Sequence, residues 1–169
     1  LSLHDALPIF GKSTAVNQLR NAIDRVAPTN SRILIRGQSG VGKELVAKAI
    51  HFNSPRKNRP FVAVNCGAIP RELLESEFFG HRKGAFTGAH INKTGYLHTA
   101  DRGTLFLDEV GELGLNMQVK LLRALESGEY TPVGDTIVRR ADFGIIAATN
   151  KYLSELVQKG NFREDLFYR

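Results

Sequence analysis

The chain has 169 residues, 42% hydrophobic and 24% charged, with a formal net charge of +6. That supports one globular domain with a real core, and excludes a disordered or fibrous chain. No apolar run approaches the roughly 18 residues of a bilayer span. The single cysteine, Cys66, excludes an internal disulfide, no Cys/His spacing suits zinc, and a cytoplasmic localisation is expected. The positive charge is compatible with nucleic acid or an anionic cofactor without requiring either.

Leu1 to Pro8 fit neither a signal peptide nor the pattern that follows, so residues 1–8 are expected to be a non-native extension and residues 9–169 the domain. Ser13 is placed to cap a helix whose Val16, Leu19, Ile23 and Val26 form one apolar face. Ile33-Leu34-Ile35 reads as a buried strand running into a glycine loop, and a helix from Lys43 is expected to bury Leu45, Val46, Ala49 and Ile50. Phe61 to Val64 is the next strand, and Pro70 suits the first turn of a helix through Leu73, Leu74 and Phe78. A glycine-punctuated insertion at about 80–95 precedes a third strand, Thr104 to Leu107. Leu115, Val119, Leu122 and Leu125 mark a helix, residues 128–140 suggest a loop or hairpin, and Phe143 to Ala148 is a fourth strand. Continuously apolar strands alternating with helices indicate an α/β fold, a parallel sheet covered on both faces.

Gly37-Gln38-Ser39-Gly40-Val41-Gly42-Lys43 follows a strand and opens a helix, the context of a phosphate-binding loop. Glycines let backbone N–H groups face a phosphate, the helix N-terminus adds positive potential, and Lys43 neutralises the β- and γ-phosphates. Glu44 stands where a general P-loop carries the Ser or Thr that holds magnesium, so the metal must lean on Asp108 and water. Asp108 and Glu109 end the third strand at the carboxyl edge where open α/β sheets bind ligands. Asp108 is the candidate magnesium ligand and Glu109 the candidate general base. Asn65 and Thr149-Asn150 end two other strands and can reach Glu109 and the γ-phosphate, although either place also suits an ordinary strand-end turn. Arg163 and Arg169, six apart, can serve a neighbouring subunit's phosphate or decorate a solvated helix. Gly84-Ala85-Phe86-Thr87-Gly88-Ala89 sets one aromatic among small residues, a poor packing element and a good mobile contact tip. Cys66 reads as a small buried hydrophobe, and no histidine is assigned a role.

These motifs, in this order, resemble the central AAA+ ATPase domain of bacterial enhancer-binding proteins, the sigma-54-dependent activators. The most specific element is Gly84 to Ala89, which stands as GAFTGA, in company with GQSGVGKE, VNC, GTLFLDEV, AATN and FREDLFYR. The resemblance implies a three-layer αβα P-loop NTPase in which Gly37 to Glu44 is Walker A and Asp108 with Glu109 is Walker B. It implies that Asn65 restrains Glu109, that Thr149 and Asn150 are sensor I, and that Arg163 and Arg169 act in trans as arginine fingers. It makes glutamate after the P-loop lysine usual, and Gln38 a mild departure from the family's glutamate. Phe86 and Thr87 would touch sigma-54, and the loop near Tyr130 to Arg140 resembles the second pore loop.

Implied with these are ATP and Mg2+ as cofactors, a homo-oligomeric ring, expected to be a hexamer, and promoter DNA reached through a domain that this sequence does not include. The domain is expected to be truncated before a fifth strand, beside Ile33 to Ile35, and before a helical lid. An uncovered strand edge would make the piece associate and turn over ATP slowly or not at all. Two alternatives stand beside an ATP-driven activator: another AAA+ remodeller, and a nucleotide-binding piece without turnover.

Overall fold

The computed structural model describes residue 9 and residues 11–167. Helix α1 (Thr14–Val26) starts where Ser13 Oγ accepts from the Val16 N–H at 3.2 Å, as the capping pattern predicts. Strand β1 (Ile33–Arg36) leads through the glycine loop into α2 (Lys43–Phe52), followed by β2 (Phe61–Asn65) and α3 (Arg71–Phe79). A short helix α4 (Tyr96–Thr99) precedes β3 (Thr104–Asp108), which gives way to a 3-10 turn (Val110–Glu112) and α5 (Leu115–Ser127). Strands β4 (Glu129–Tyr130) and β5 (Arg139–Arg140) pair antiparallel as a hairpin, and β6 (Gly144–Thr149), α6 (Leu153–Gln158) and α7 (Glu164–Phe167) complete the order.

The main sheet runs β1-β6-β3-β2 and all its pairs are parallel. Alternate residues of each strand face opposite layers, which is why these strands are apolar without interruption. Phe106, Ile146 and Ala148 pack with Ile23 of α1, Ala27 just beyond its end, and Ala47 and Ile50 of α2. Leu105, Leu107 and Ile145 pack on the other side with Leu74, Phe78, Leu97, Leu121, Leu153 and Phe162. The result is the expected αβα arrangement, with β3 at its centre buried from Thr104 to Leu107.

Two assignments of buried residues need correction: Leu34, in the strand read as buried, is exposed because β1 is an edge strand among the described residues, and Leu45 lies outside the covered face of α2. Leu45 is exposed because α2 turns Lys43, Ala47, Ile50 and His51 inward, a stripe that leaves position 45 outside. Leu115 and Val119 mark α5 as expected and lie on its exposed side, since α5 buries Met117, Gln118, Leu121, Leu122 and Ala124. The short helices α4 and α6 lacked a legible period in sequence.

His51 is a buried polar residue at the amino end of the sheet. One ring nitrogen lies 2.7 Å from Thr104 Oγ1 and the other 3.0 Å from the Arg59 carbonyl. Burial, opposed by the Arg59 bond and assisted by nearby Arg56, holds its pKa below the usual histidine range.

Candidate functional site: a phosphate loop, an acidic strand end and two jointed loops

Parallel pairing brings the carboxyl ends of four strands to one edge. Asn65 lies in register with Asp108, and the Gly37 N–H donates to the Thr149 carbonyl at 3.2 Å, joining the glycine loop to the end of β6. Gly40 and Gly42 adopt left-handed φ angles of 81° and 92°, a conformation that costs a side-chain residue energy and lets this loop curl over the N-terminus of α2. Lys43 is only 6% exposed, so its charge must be compensated. Its Nζ donates to the Gly37 carbonyl at 2.8 Å and lies 3.8 Å from Asp108 Oδ1. The exposed Gln38, Ser39 and Val41 form the rim of the loop. Glu44 is exposed and pairs with Lys48 one turn along α2 at 3.5 Å.

Glu109 has a left-handed backbone, φ 53°, ψ 46°, which is uncommon without glycine and concentrates at functional positions. Its N–H donates to Asp108 Oδ1 at 2.9 Å. Its carboxylate lies over Gly67, so close that a Cβ there would overlap Oε2. Asn65 Oδ1 accepts from the Gly67 N–H at 3.0 Å, and so sits beside the same carboxylate. Gly67 is a position of this edge that the sequence did not single out; its only trace there is a small residue two places after Asn65. Cys66 between them is buried, and burial, with Asp108 and Glu109 nearby, pushes its thiol up to about 12. Thr149 is buried, its Oγ1 accepting from the Lys151 N–H at 3.0 Å, while Asn150 is exposed at the edge.

The structure does not bring Arg163 to this edge. Its guanidinium forms two bonds to Asp165, Nε to Oδ1 at 2.9 Å and Nη2 to Oδ2 at 2.5 Å. Arg169 lies outside the described residues.

Gly84 to Ala89 form a self-bonded loop. The Gly84 N–H donates to the Ala89 carbonyl at 2.8 Å and the Ala89 N–H to the Phe86 carbonyl at 3.0 Å. Gly84 and Gly88 have φ angles of 85° and 99°, so each favours glycine for its backbone. Phe86 is 38% exposed, and among the described residues its ring meets that of His81, edge-on at 4.9 Å. The β4–β5 hairpin is jointed to the base of this loop. The Arg82 N–H donates to the Val133 carbonyl at 3.0 Å, and Arg82 pairs with Asp135 at 3.3 Å. Amides of Ile137 and Thr136, with Arg82 and Arg139 alongside, hold the Asp135 carboxyl below its usual range. A Cβ at Gly134 would lie 2.6 Å from that of Ala85, so the two loops are in close contact.

Asp108, a carboxylate beside Lys43 at the phosphate edge, fits a magnesium ion that would arrive with a triphosphate. Among the described residues no three His, Cys, Asp or Glu side chains form a cage, and magnesium at phosphate sites needs only one or two carboxylates.

Comparison with known proteins agrees with this architecture. The sigma-54 interaction domain matches residues 9–169. NtrC of Rhizobium meliloti (strain 1021), a DNA-binding transcriptional regulator, is 50% identical over 165 residues, 98% of this chain and 34% of that protein. The Nif-specific regulatory protein of Klebsiella pneumoniae is 54% identical over 161 residues, 95% of this chain and 31% of that protein. The chain thus spans about a third of the length of these relatives. NtrX from Brucella abortus in complex with ATP superposes with a TM-score of 0.89 at 47% identity, covering 96% of this chain and 35% of that one. The P-loop NTPase domain of a sigma-54 activator from E. coli shares the fold, with a TM-score of 0.62 at 20% identity over 94% of this chain and 91% of that one. The αβα sheet, the glycine loop closed on Lys43 and Asp108, and the GAFTGA loop together place this chain in the sigma-54 interaction domain family.

Proposed function

We propose that this chain is an ATP-hydrolysing motor module that engages sigma-54 and remodels the closed complex of its RNA polymerase. One observation carries the reading. A charged phosphate edge, Lys43 with Asp108 and Glu109, shares a small domain with a solvent-facing aromatic tip, Phe86, on two jointed loops.

The glycine-loop amides and Lys43 hold the β- and γ-phosphates of ATP. Magnesium, bound through Asp108, would neutralise phosphate charge. Glu109 takes the proton of the attacking water, whose oxygen bonds to the γ-phosphorus as the bridge to ADP breaks. Asn65 holds the Glu109 carboxylate, and Asn150 with Thr149 senses the γ-phosphate. In a ring, expected to be hexameric, Arg163 and Arg169 reach the γ-phosphate of a neighbouring subunit. Among the described residues the Arg163 guanidinium bonds Asp165 rather than a group of the Lys43–Asp108 edge, in keeping with a role in trans. Promoter DNA would be engaged by a part of the protein outside this chain. Among the described residues no helix is long and apolar enough to cross a membrane, in keeping with action in the cytoplasm.

The test is retention of sigma-54 by the protein trapped with a transition-state analogue of ATP. Phe86→Ala removes an exposed ring, so folding and turnover persist while sigma-54 is lost. Retention of sigma-54 by Phe86→Ala at unmodified affinity refutes the contact. Lys43→Ala should abolish ATP binding and Glu109→Gln should trap bound ATP; a Glu109→Gln protein that still turns over ATP refutes the assigned base.

A further inference from the structure

Gln118 is fully buried on a face of α5 whose neighbours are Met117, Leu121, Leu122 and Ala124. A primary amide there must be satisfied by partners. Its Nε2 donates to the Leu113 carbonyl at 2.8 Å and to the Asn161 carbonyl at 3.1 Å. Its Oε1 accepts from the Arg163 N–H at 2.8 Å. The orientation of the amide is set by its surroundings, since the nitrogen faces two carbonyls and the oxygen faces an N–H.

These bonds join two parts of the chain. Leu113 closes the 3-10 turn that directly follows Asp108 and Glu109, its N–H donating to the Val110 carbonyl at 3.2 Å. Asn161 and Arg163 flank the buried Phe162, so both ends of one amide grip the backbone around a core residue. On its other side this segment is held by the Leu156 carbonyl, which accepts from the N–H groups of Asn161 and Phe162 at 2.8 and 3.2 Å. The backbone bearing Arg163 is therefore referenced to the acidic strand end through one side chain.

We propose that Gln118 is the positioning residue for Arg163: it sets where this subunit presents the guanidinium to its neighbour, and couples that placement to the Asp108–Glu109 edge. The proposal rests on the reading that Arg163 acts in trans. Gln118→Met keeps the length of the side chain and removes all three bonds.

In the assembled protein, Gln118→Met should bind ATP within about twofold of the unmodified affinity, yet turn it over at least about tenfold more slowly, a modest share of what a trans arginine supplies. The deciding measurement is subunit mixing with Lys43→Ala, which lacks a working site of its own but carries an intact Arg163. Random equal mixing juxtaposes a working site and a working arginine at about one interface in four, so about a quarter of unmodified turnover should return. Arg163→Ala mixed with Lys43→Ala is the control. If that control recovers and the Gln118→Met mixture does not, Gln118 supports its own subunit's site and the inference is overturned while the trans reading stands. If the control fails to recover, the trans reading fails and the inference falls with it. Should Gln118→Met not fold, Gln118→Asn, which keeps the amide but shortens it by one methylene and so draws it away from all three partners, gives the same readout.

Discussion

Gly67 offers a way to move the Glu109 carboxylate without changing any titratable group. Its backbone is not left-handed, so alanine fits the local conformation. The added methyl would overlap Oε2 of Glu109 and lie 3.1 Å from its Cδ. The nearest obstacle is the end of a flexible side chain, so the carboxylate yields and the backbone stays. Relieving that overlap takes a displacement of more than about 1 Å, and a misplacement of that size in a reacting group costs about a hundredfold in rate. This corresponds to about 2.7 kcal/mol of activation free energy. Stability should change little or rise, since replacing glycine where its conformation is ordinary contributes roughly 0.4–1 kcal/mol through the unfolded chain. The assay is single-turnover ATP hydrolysis beside nucleotide affinity and thermal unfolding. Gly67→Ala is expected to bind ATP normally, melt at or above the unmodified temperature and hydrolyse about a hundredfold more slowly. Hydrolysis within threefold of unmodified, in a preparation where Glu109→Gln is inactive, would show that the carboxylate does not act from over Gly67.

Two further outcomes follow from the same coordinates. His51 has its folded pKa lowered by burial, so the unfolded chain binds the proton more readily and stability rises with pH through the window between the two values. The melting temperature should therefore fall as pH drops below about 6.5 and level off beneath the folded pKa, with a shallower slope in His51→Gln; an unchanged slope in that variant contradicts the assignment. Among the described residues β1 is a sheet edge with Leu34 42% exposed, an arrangement that templates pairing with other chains. Leu34→Lys should lower light scattering and shift the sedimentation profile away from nonspecific aggregates, and undiminished aggregation would place the sticky surface elsewhere.

Much of the site was readable in the primary structure because its chemistry is local in the chain. A loop wrapped around phosphate needs glycines and a lysine at short, fixed spacing, so Gly37 to Lys43 was legible as a unit. Continuous apolar strands between helices declared a parallel sheet, because burial on both faces leaves no alternation. Asp108 and Glu109 stood out as charges that end such a strand. Tertiary structure decided what depends on partners distant in the chain. Gln118 looks like any polar helix residue until residues 113, 161 and 163 converge on it. Gly67 looks like a turn glycine until β2 and β3 set Glu109 above it. Leu45, Leu115 and Val119 fit an apolar stripe in sequence but lie outside, since only the packed neighbours choose which side of a helix is covered. Short-range spacing encodes backbone geometry and ligand chemistry; burial and polar satisfaction are collective, and they exist only once the layers have closed.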